Sequence, residues 1–170
     1  MGFHTNNDGR NFSSTLYDGD CGEELLKAFL EKKNFKVIDV RTNPEYQQKD
    51  IDFIISGDNV HFYTMEVKSD GKMCKTGNIF VEECMKRQIG DRKGWLYYCE
   101  ADILCFIDIV NYYFYFIDWK KLKNKILVGF WKRITFNNVI DKCTGLGYII
   151  PVKELFDNKL IITYGKIYFK

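Results

Sequence analysis

The chain has 170 residues, 46% of them hydrophobic, which is ample apolar material for the core of one domain and leaves little room for a second. A net charge of +2 gives no strong basic footprint, so contact with nucleic acid would have to come from local clusters rather than from overall charge. Six cysteines without a Cys-x-x-Cys pair, and only two histidines, His4 and His61, argue against a structural zinc site and for a cytoplasmic protein with free thiols.

Residues 1–17 are polar and rich in Asn and Ser, lack the charged start and apolar stretch of a secretory signal, and read as a flexible arm before a single domain over 18–170. From Gly22 to Phe35, the residues Leu25, Leu26, Phe29 and Leu30 recur at helical spacing, with Asp18 or Asp20 able to cap the start and Asn34 to stop it. Glu23 and Glu24 in the first turn either favour the positive helix end, by a few tenths to about 1 kcal/mol, or serve chemistry. The sequence supports both readings equally.

Lys36 to Val40 reads as a short strand. Ile51 to Ser56 and Val60 to Lys68, rich in Ile, Val, Phe and Tyr, flank the turn signal Gly57-Asp58-Asn59 and predict an antiparallel hairpin. Alternation places Glu66 and Lys68 on one side of the second strand and Val67 on the other, toward a core. The midpoint of positions 52 and 66 is 59, inside the turn, so pairing brings Asp52 and Glu66 to a common edge where they can share a cation. An E-x-K triplet alone is more often a same-side pair of opposite charges on an exposed face. Combined with Asp52, a short hairpin and an acid on the upstream helix, it points to a divalent ion beside a phosphate, and hence to a nuclease. Asp50 and Asp58 read as turn or flanking acids, and His61 as a packed or edge histidine of the second strand.

Further on, two readings stay open. If Gly77 to Cys84 is a strand or loop crossing the site, Glu82 reaches the ion; if Ile79 to Ile89 is a helix, Phe80, Val81, Cys84 and Met85 are its buried stripe and Glu82 faces outward. Ile103 to Trp119 is aromatic and β-branched, and its interruption by Asp108, Asn111 and Asp118 suits a hairpin better than a membrane span. Asp102 caps a strand or pairs with a nearby base. Lys72, Lys75, Arg87, Arg92 and Lys93 follow the proposed site closely enough to hold phosphates, whereas Lys120, Lys121, Lys123 and Lys125 read as a solvated helix face. From Ile126 onward, short strands at Arg133–Phe136, Gly147–Ile150, Leu160–Tyr164 and Lys166–Phe169 alternate with turns at Gly145 and Gly165, with a helical turn over Lys153–Phe156. This region is expected to extend or cover the same sheet.

The helix GEELLKAFLEKKNF, Asp52 in KDIDFI and Glu66-Val67-Lys68 in TMEVKSD resemble, over residues 20–110, the PD-(D/E)XK or restriction-endonuclease-like nucleases. The layout is similar to archaeal Holliday junction resolvases. The segment from Thr76 to Ile79 with Glu82, then Gly94-Trp95 and Ala101-Asp102, is similar to phage-type members. The chain departs from the family pattern in carrying Ile51 where the proline of the family name would stand. The resemblance implies an α/β fold with a mixed central sheet flanked by helices and cleavage of DNA phosphodiesters. It implies Mg²⁺ or Mn²⁺ on Asp52, Glu66 and the carbonyl of Val67. It further implies that Lys68 stabilises the transition state or positions water. A lysine beside two acids stays charged, which favours that electrostatic role over one as general base. Glu23 matches the family's helix acid by spacing, Glu24 and Glu82 are possible auxiliaries, and a homodimer is expected from the resemblance. Two alternatives are a catalytically weak DNA-binding or protein-interaction module on the same fold, and an unrelated α/β protein with a surface E-x-K pair.

Overall fold

The computed structural model describes residues 12–86, 90–138 and 143–168. In chain order they form α1 (Phe12–Lys32), β1 (Lys36–Asp39), α2 (Pro44–Gln47), β2 (Phe53–Ser56), β3 (Tyr63–Ser69), α3 (Met73–Thr76), β4 (Asn78–Lys86), β5 (Arg92–Lys93), α4 (Trp95–Tyr98), β6 (Ile103–Asp108), β7 (Tyr113–Asp118), α5 (Trp119–Leu127), β8 (Arg133–Asn138), β9 (Cys143–Pro151), α6 (Val152–Asp157) and β10 (Ile161–Lys166). The strands β1-β2-β3-β6-β7-β10 make a six-stranded central sheet, and β5-β4-β9-β8 make a second sheet of four. All pairings in the central sheet are antiparallel except β3 with β6. The architecture is therefore α/β with a mixed central sheet flanked by helices. Among the described residues no helix is long and apolar enough to cross a membrane.

α1 starts ten residues before Gly22, so neither Asp18 nor Asp20 caps it and residues 12–17, expected in the arm, are helical; residues 1–11 lie outside the described residues. Its end falls where expected. Asn34 adopts φ 63° and the Phe35 N–H donates to the Leu30 carbonyl at 3.0 Å, a left-handed stop that Asn tolerates better than most residues. Leu26 and Leu30 pack with Phe53, Met65, Val67 and Cys105 in a core on one face of the central sheet. Leu104, Phe106 and Ile117 belong to a larger core on the opposite face, with Trp95 and Leu96 of α4, Trp119 and Leu122 of α5, and Val81 and Ile150 of the second sheet. Every residue of β6 is buried because this strand is central and covered on both sides.

The β2–β3 hairpin has the expected register, Phe53 opposite Met65. Its connection is longer than the sequence suggests. The Asp58 carboxylate accepts the N–H groups of Val60 and His61 at 2.9 and 2.8 Å, which removes them from the ladder, so β3 begins at Tyr63. His61 is thereby an exposed loop residue beside Asp58, not a packed strand residue.

β4 resolves the choice between strand and helix in favour of the strand. β9 pairs with β4, and β8 with β9, in the second sheet rather than extending the central one; of the described strands after α5, only β10 joins the central sheet, beside β7. Gly145 and Gly165 lie inside β9 and β10 rather than in turns. At Gly145 the missing side chain makes room for a ring: a Cβ there would stand 2.0 Å from Cζ of Phe136, its partner across the ladder.

Gly94 fixes how α4 meets β4. Its N–H donates to the Glu83 carbonyl at 2.7 Å, and a Cβ would lie 2.3 Å from the Glu82 carbonyl oxygen, a backbone atom that cannot swing aside. Gly94→Ala is expected to lower stability by about 3 kcal/mol, the upper end of the usual cost of overpacking. Gly77→Ala, where φ is 65° but an added Cβ would meet no described atom beyond its chain neighbours within 4 Å, should cost about 1 kcal/mol from backbone strain alone. Denaturant midpoints of the two variants check this, and an equal or smaller loss at position 94 contradicts the packing argument.

Candidate active site

Three residues of the hairpin converge where β2 begins. The Asp52 N–H donates to the Met65 carbonyl at 2.9 Å, and Asp52 Oδ2 accepts the Val67 N–H at 2.8 Å. Because N–H and C=O of one strand residue point to the same side, the Val67 carbonyl lies on this edge too. Glu66 and Lys68 point to the other side of β3 from Val67, toward the face that carries the larger core, opposite Leu104 and Phe106 of β6. Lys68 Nζ forms an ion pair with Glu66 Oε1 and a second with Asp50 Oδ2 at 3.1 Å, and stands 5.4 Å from the centre of the Trp95 ring. Glu66 is only 3% exposed, and its second oxygen, Oε2, is buried without a hydrogen-bond partner among the described residues.

α1 brings the helix acids to the same edge. A Cβ at Gly22 would fall 1.9 Å from Ser69 Oγ, so glycine lets the helix approach the end of β3 closely. Arg41 Nη1 donates to Glu23 Oε2 at 3.0 Å, while its Nη2 reaches Glu24 and Asp39. The side chain of Glu24 is 61% exposed and that of Glu23 only 20%. Glu23 is thus drawn in beside the cluster, while the side chain of Glu24 stays largely in solvent. A cleft of about 350 Å³ is lined by Glu23, Arg41, Gln47, Asp50, Ile51 and Asp52. A more apolar cleft of about 250 Å³, lined by Ile79, Phe80, Ile134, Phe136 and Ile149 among others, contains none of the convergent acids.

Burial and like charge set the protonation of these groups. Burial pushes Glu66 well above the usual carboxylate range; Lys68 opposes the shift while Asp52 and Asp50 add to it. Asp52 is raised by burial against the Val67 N–H, and Glu23 by burial and Asp52 against Arg41. For Lys68 burial disfavours the charge, but Glu66 and Asp50 outweigh it and hold the ammonium protonated above its ordinary value. Burial thus favours the protonated, neutral forms of Glu66, Asp52 and Glu23 while Lys68 keeps its charge.

Among the described residues no group of three or more His, Cys, Asp or Glu side chains forms a ready-made metal cage. Two carboxylates and a main-chain carbonyl nevertheless suit Mg²⁺, which retains waters and takes phosphate oxygens in its other positions. The buried, unpaired Glu66 Oε2 is the atom such an ion would satisfy.

Other expected site residues lie elsewhere. Glu82 pairs with Arg92 at 3.4 Å, and the adjacent Glu83 is buried against Tyr97 and Arg133. Lys72 and Lys75 flank and occupy α3, Lys93 lies over the Tyr97 ring, and Arg87 falls outside the described residues. Asp102 accepts from the Thr64 N–H and hydroxyl and from Lys120, a strand-to-helix tie of the expected kind. Asp50, by its sequence a flanking acid, instead grips Lys68. Arg41, Gln47 and Trp95 also line or floor the site, and sequence pattern alone does not single them out. Arg41 has Asp39 as a partner two residues away, but nothing local signals its reach to Glu24 and Glu23, 17 and 18 residues away.

No family model matches the chain, and no curated protein matches it. Among solved structures, a bacterial homing endonuclease, I-Ssp6803I, is similar with a TM-score of 0.50 at 17% sequence identity, over 65% of this chain and 73% of that one. At this identity the likeness concerns the fold.

The buried acid gives a signed pH prediction. Below about pH 4 both folded and unfolded chains hold the Glu66 proton and there is no penalty. As pH rises the unfolded chain releases it first, so stability falls, and the loss is complete above the raised folded value. In metal-free protein Glu66→Gln should raise the thermal midpoint near neutral pH by about 2–4 °C and leave it unchanged in acid. Calorimetric scans at the two pH values check this; a variant less stable than wild type near neutrality contradicts it.

Proposed function

We propose that this protein is a metal-dependent nuclease of PD-(D/E)XK type that hydrolyses DNA phosphodiester bonds. The observation that carries the proposal is the meeting of Asp52, Glu66 and Lys68 at one edge, with a buried Glu66 oxygen that has no hydrogen-bond partner among the described residues. The similarity of the fold to that of a homing endonuclease supports an endonucleolytic reaction.

Asp52, Glu66 and the Val67 carbonyl would hold Mg²⁺ or Mn²⁺, which when bound polarises the phosphate and acidifies a coordinated water. The protein's own groups supply the rest. The Val67 N–H orients the Asp52 carboxylate, so one of its oxygens is fixed before substrate arrives. Lys68 remains an ammonium and offsets negative charge gathering on the phosphate oxygens, a larger effect in a half-dry site than in water. Glu23, held by Arg41, accepts a hydrogen bond from the attacking water and orients it. Arg92 and Lys93 of β5 offer cations to flanking phosphates.

Wild-type protein should cut DNA with Mg²⁺ or Mn²⁺ and not with EDTA, in a panel of supercoiled, linear, single-stranded and branched substrates. Asp52→Ala should lose Mn²⁺ binding by isothermal titration. Lys68→Ala should keep that binding and lose on the order of a hundredfold in cleavage rate. Unchanged cutting by Lys68→Ala would assign the activity to another site or a contaminant.

A further inference from the structure

Lys68 has two anchors of different origin. Glu66 lies two residues away on β3 itself. Asp50 comes from the turn after α2, where the chain is held on several sides: the Asp50 N–H donates to the Gln47 carbonyl at 3.2 Å, the Ile51 N–H to the Tyr46 carbonyl at 3.1 Å, and the Glu100 N–H to the Lys49 carbonyl at 2.9 Å. Cys99 Sγ donates to the Asp50 carbonyl at 3.6 Å. Asp50 takes φ 53°, a left-handed conformation that L-residues adopt at a cost and that collects at functional sites. That backbone aims its carboxylate at Lys68 from outside the hairpin.

A bound divalent ion would draw on Glu66, the acid with a spare oxygen, and weaken its hold on the ammonium. Asp50 has no such competing duty in the proposed ligand set. We propose that Asp50 is a positioning residue that keeps the Lys68 ammonium at the reacting phosphate once Glu66 is engaged by the metal, with the Trp95 ring as its floor. This rests on the nuclease reading above and extends it to a residue outside the hairpin and the helix.

The ordinary alternative is that Asp50 serves only the turn. Asn and Gly both tolerate the same backbone, so Asp50→Asn and Asp50→Gly separate the two roles. Both variants should stay folded, with Mn²⁺ affinity by titration and DNA affinity in Ca²⁺ within about threefold of wild type, and KM unchanged. Their kcat should fall on the order of tenfold to a hundredfold, the loss expected from a misplaced catalytic group. A second readout needs no turnover. In ¹⁵N-lysine spectra of Mg²⁺-loaded protein, the Lys68 ammonium should give a slowly exchanging signal in wild type that is lost in Asp50→Asn.

If Asp50→Asn cuts within twofold of wild type, or the Lys68 signal persists in it, the proposal is overturned. If wild type cuts nothing with either metal, the hydrolase reading fails, and the Lys68 signal alone decides whether Asp50 is its anchor.

Discussion

The backbone ladder between β2 and β3 ends at Asp52, and the side chain of Asp52 carries it one step further. The Asp52 carbonyl accepts from Val40 at 3.0 Å, its N–H donates to Met65 at 2.9 Å, and its Oδ2 takes the Val67 N–H at 2.8 Å. One residue is therefore tied once to Val40, just past the end of β1, and twice to β3. The register this sets decides which side chains of β3 face which core. A slip of one residue would turn Glu66 and Lys68 toward Leu26 and Leu30 of α1, and put Val67 among the acids.

The correct register still buries a carboxylate, and the fold tolerates this because its stability comes from elsewhere. Two apolar clusters clamp the central sheet from both sides. The site occupies the margin of the larger one, where α4 wedges between the sheets. Gly94 lets α4 sit against the backbone of Glu82 and Glu83, and the bulge in β4 between Glu82 and Cys84 bends the strand at that point. Trp95, held against Trp119 at 5.2 Å between ring centres and Phe106 at 6.4 Å, is thereby placed under Lys68. Packing well away from the acids thus determines where the ammonium rests. A protein selected for stability alone would have an apolar side chain at position 66.

Local pattern encodes the part of this arrangement that is legible in the sequence. Period-two alternation places Glu66 and Lys68 opposite Val67, and the aromatic run from Ile103 to Trp119 folds as the expected hairpin of β6 and β7. Signals with more than one physical meaning mislead. Gly145 and Gly165 look like turns but admit rings inside strands, and Asp58 lengthens a loop by capping its backbone instead of tightening it. Long-range partnership leaves no trace at all: nothing near Arg41 announces Glu23, and the grip of Asp50 on Lys68 depends on a left-handed backbone that the letters around it do not specify. Gly77, Gly94, Trp95 and Asp102, which in the sequence form only a pattern, have separate mechanical duties: ending α3, admitting α4, flooring Lys68 and tying β3 to α5.

The distribution of charge explains why a net +2 is compatible with the proposed action on an anionic polymer. Arg41 answers Glu23, Glu24 and Asp39 on one flank, and Lys68 answers Glu66 and Asp50 on the other. Between them Asp52 has a backbone N–H but, among the described residues, no ion pair of its own; burial raises its proton affinity, against the Val67 N–H, Glu66 and the charge of Lys68. Arg41 is thus shared among three carboxylates and Lys68 between two, and Asp52 at the centre has no cation in ion-pair contact among the described residues. A divalent ion placed there would turn a net repulsion among carboxylates into an attraction, and would present a positive face to a phosphate that the carboxylates alone would repel.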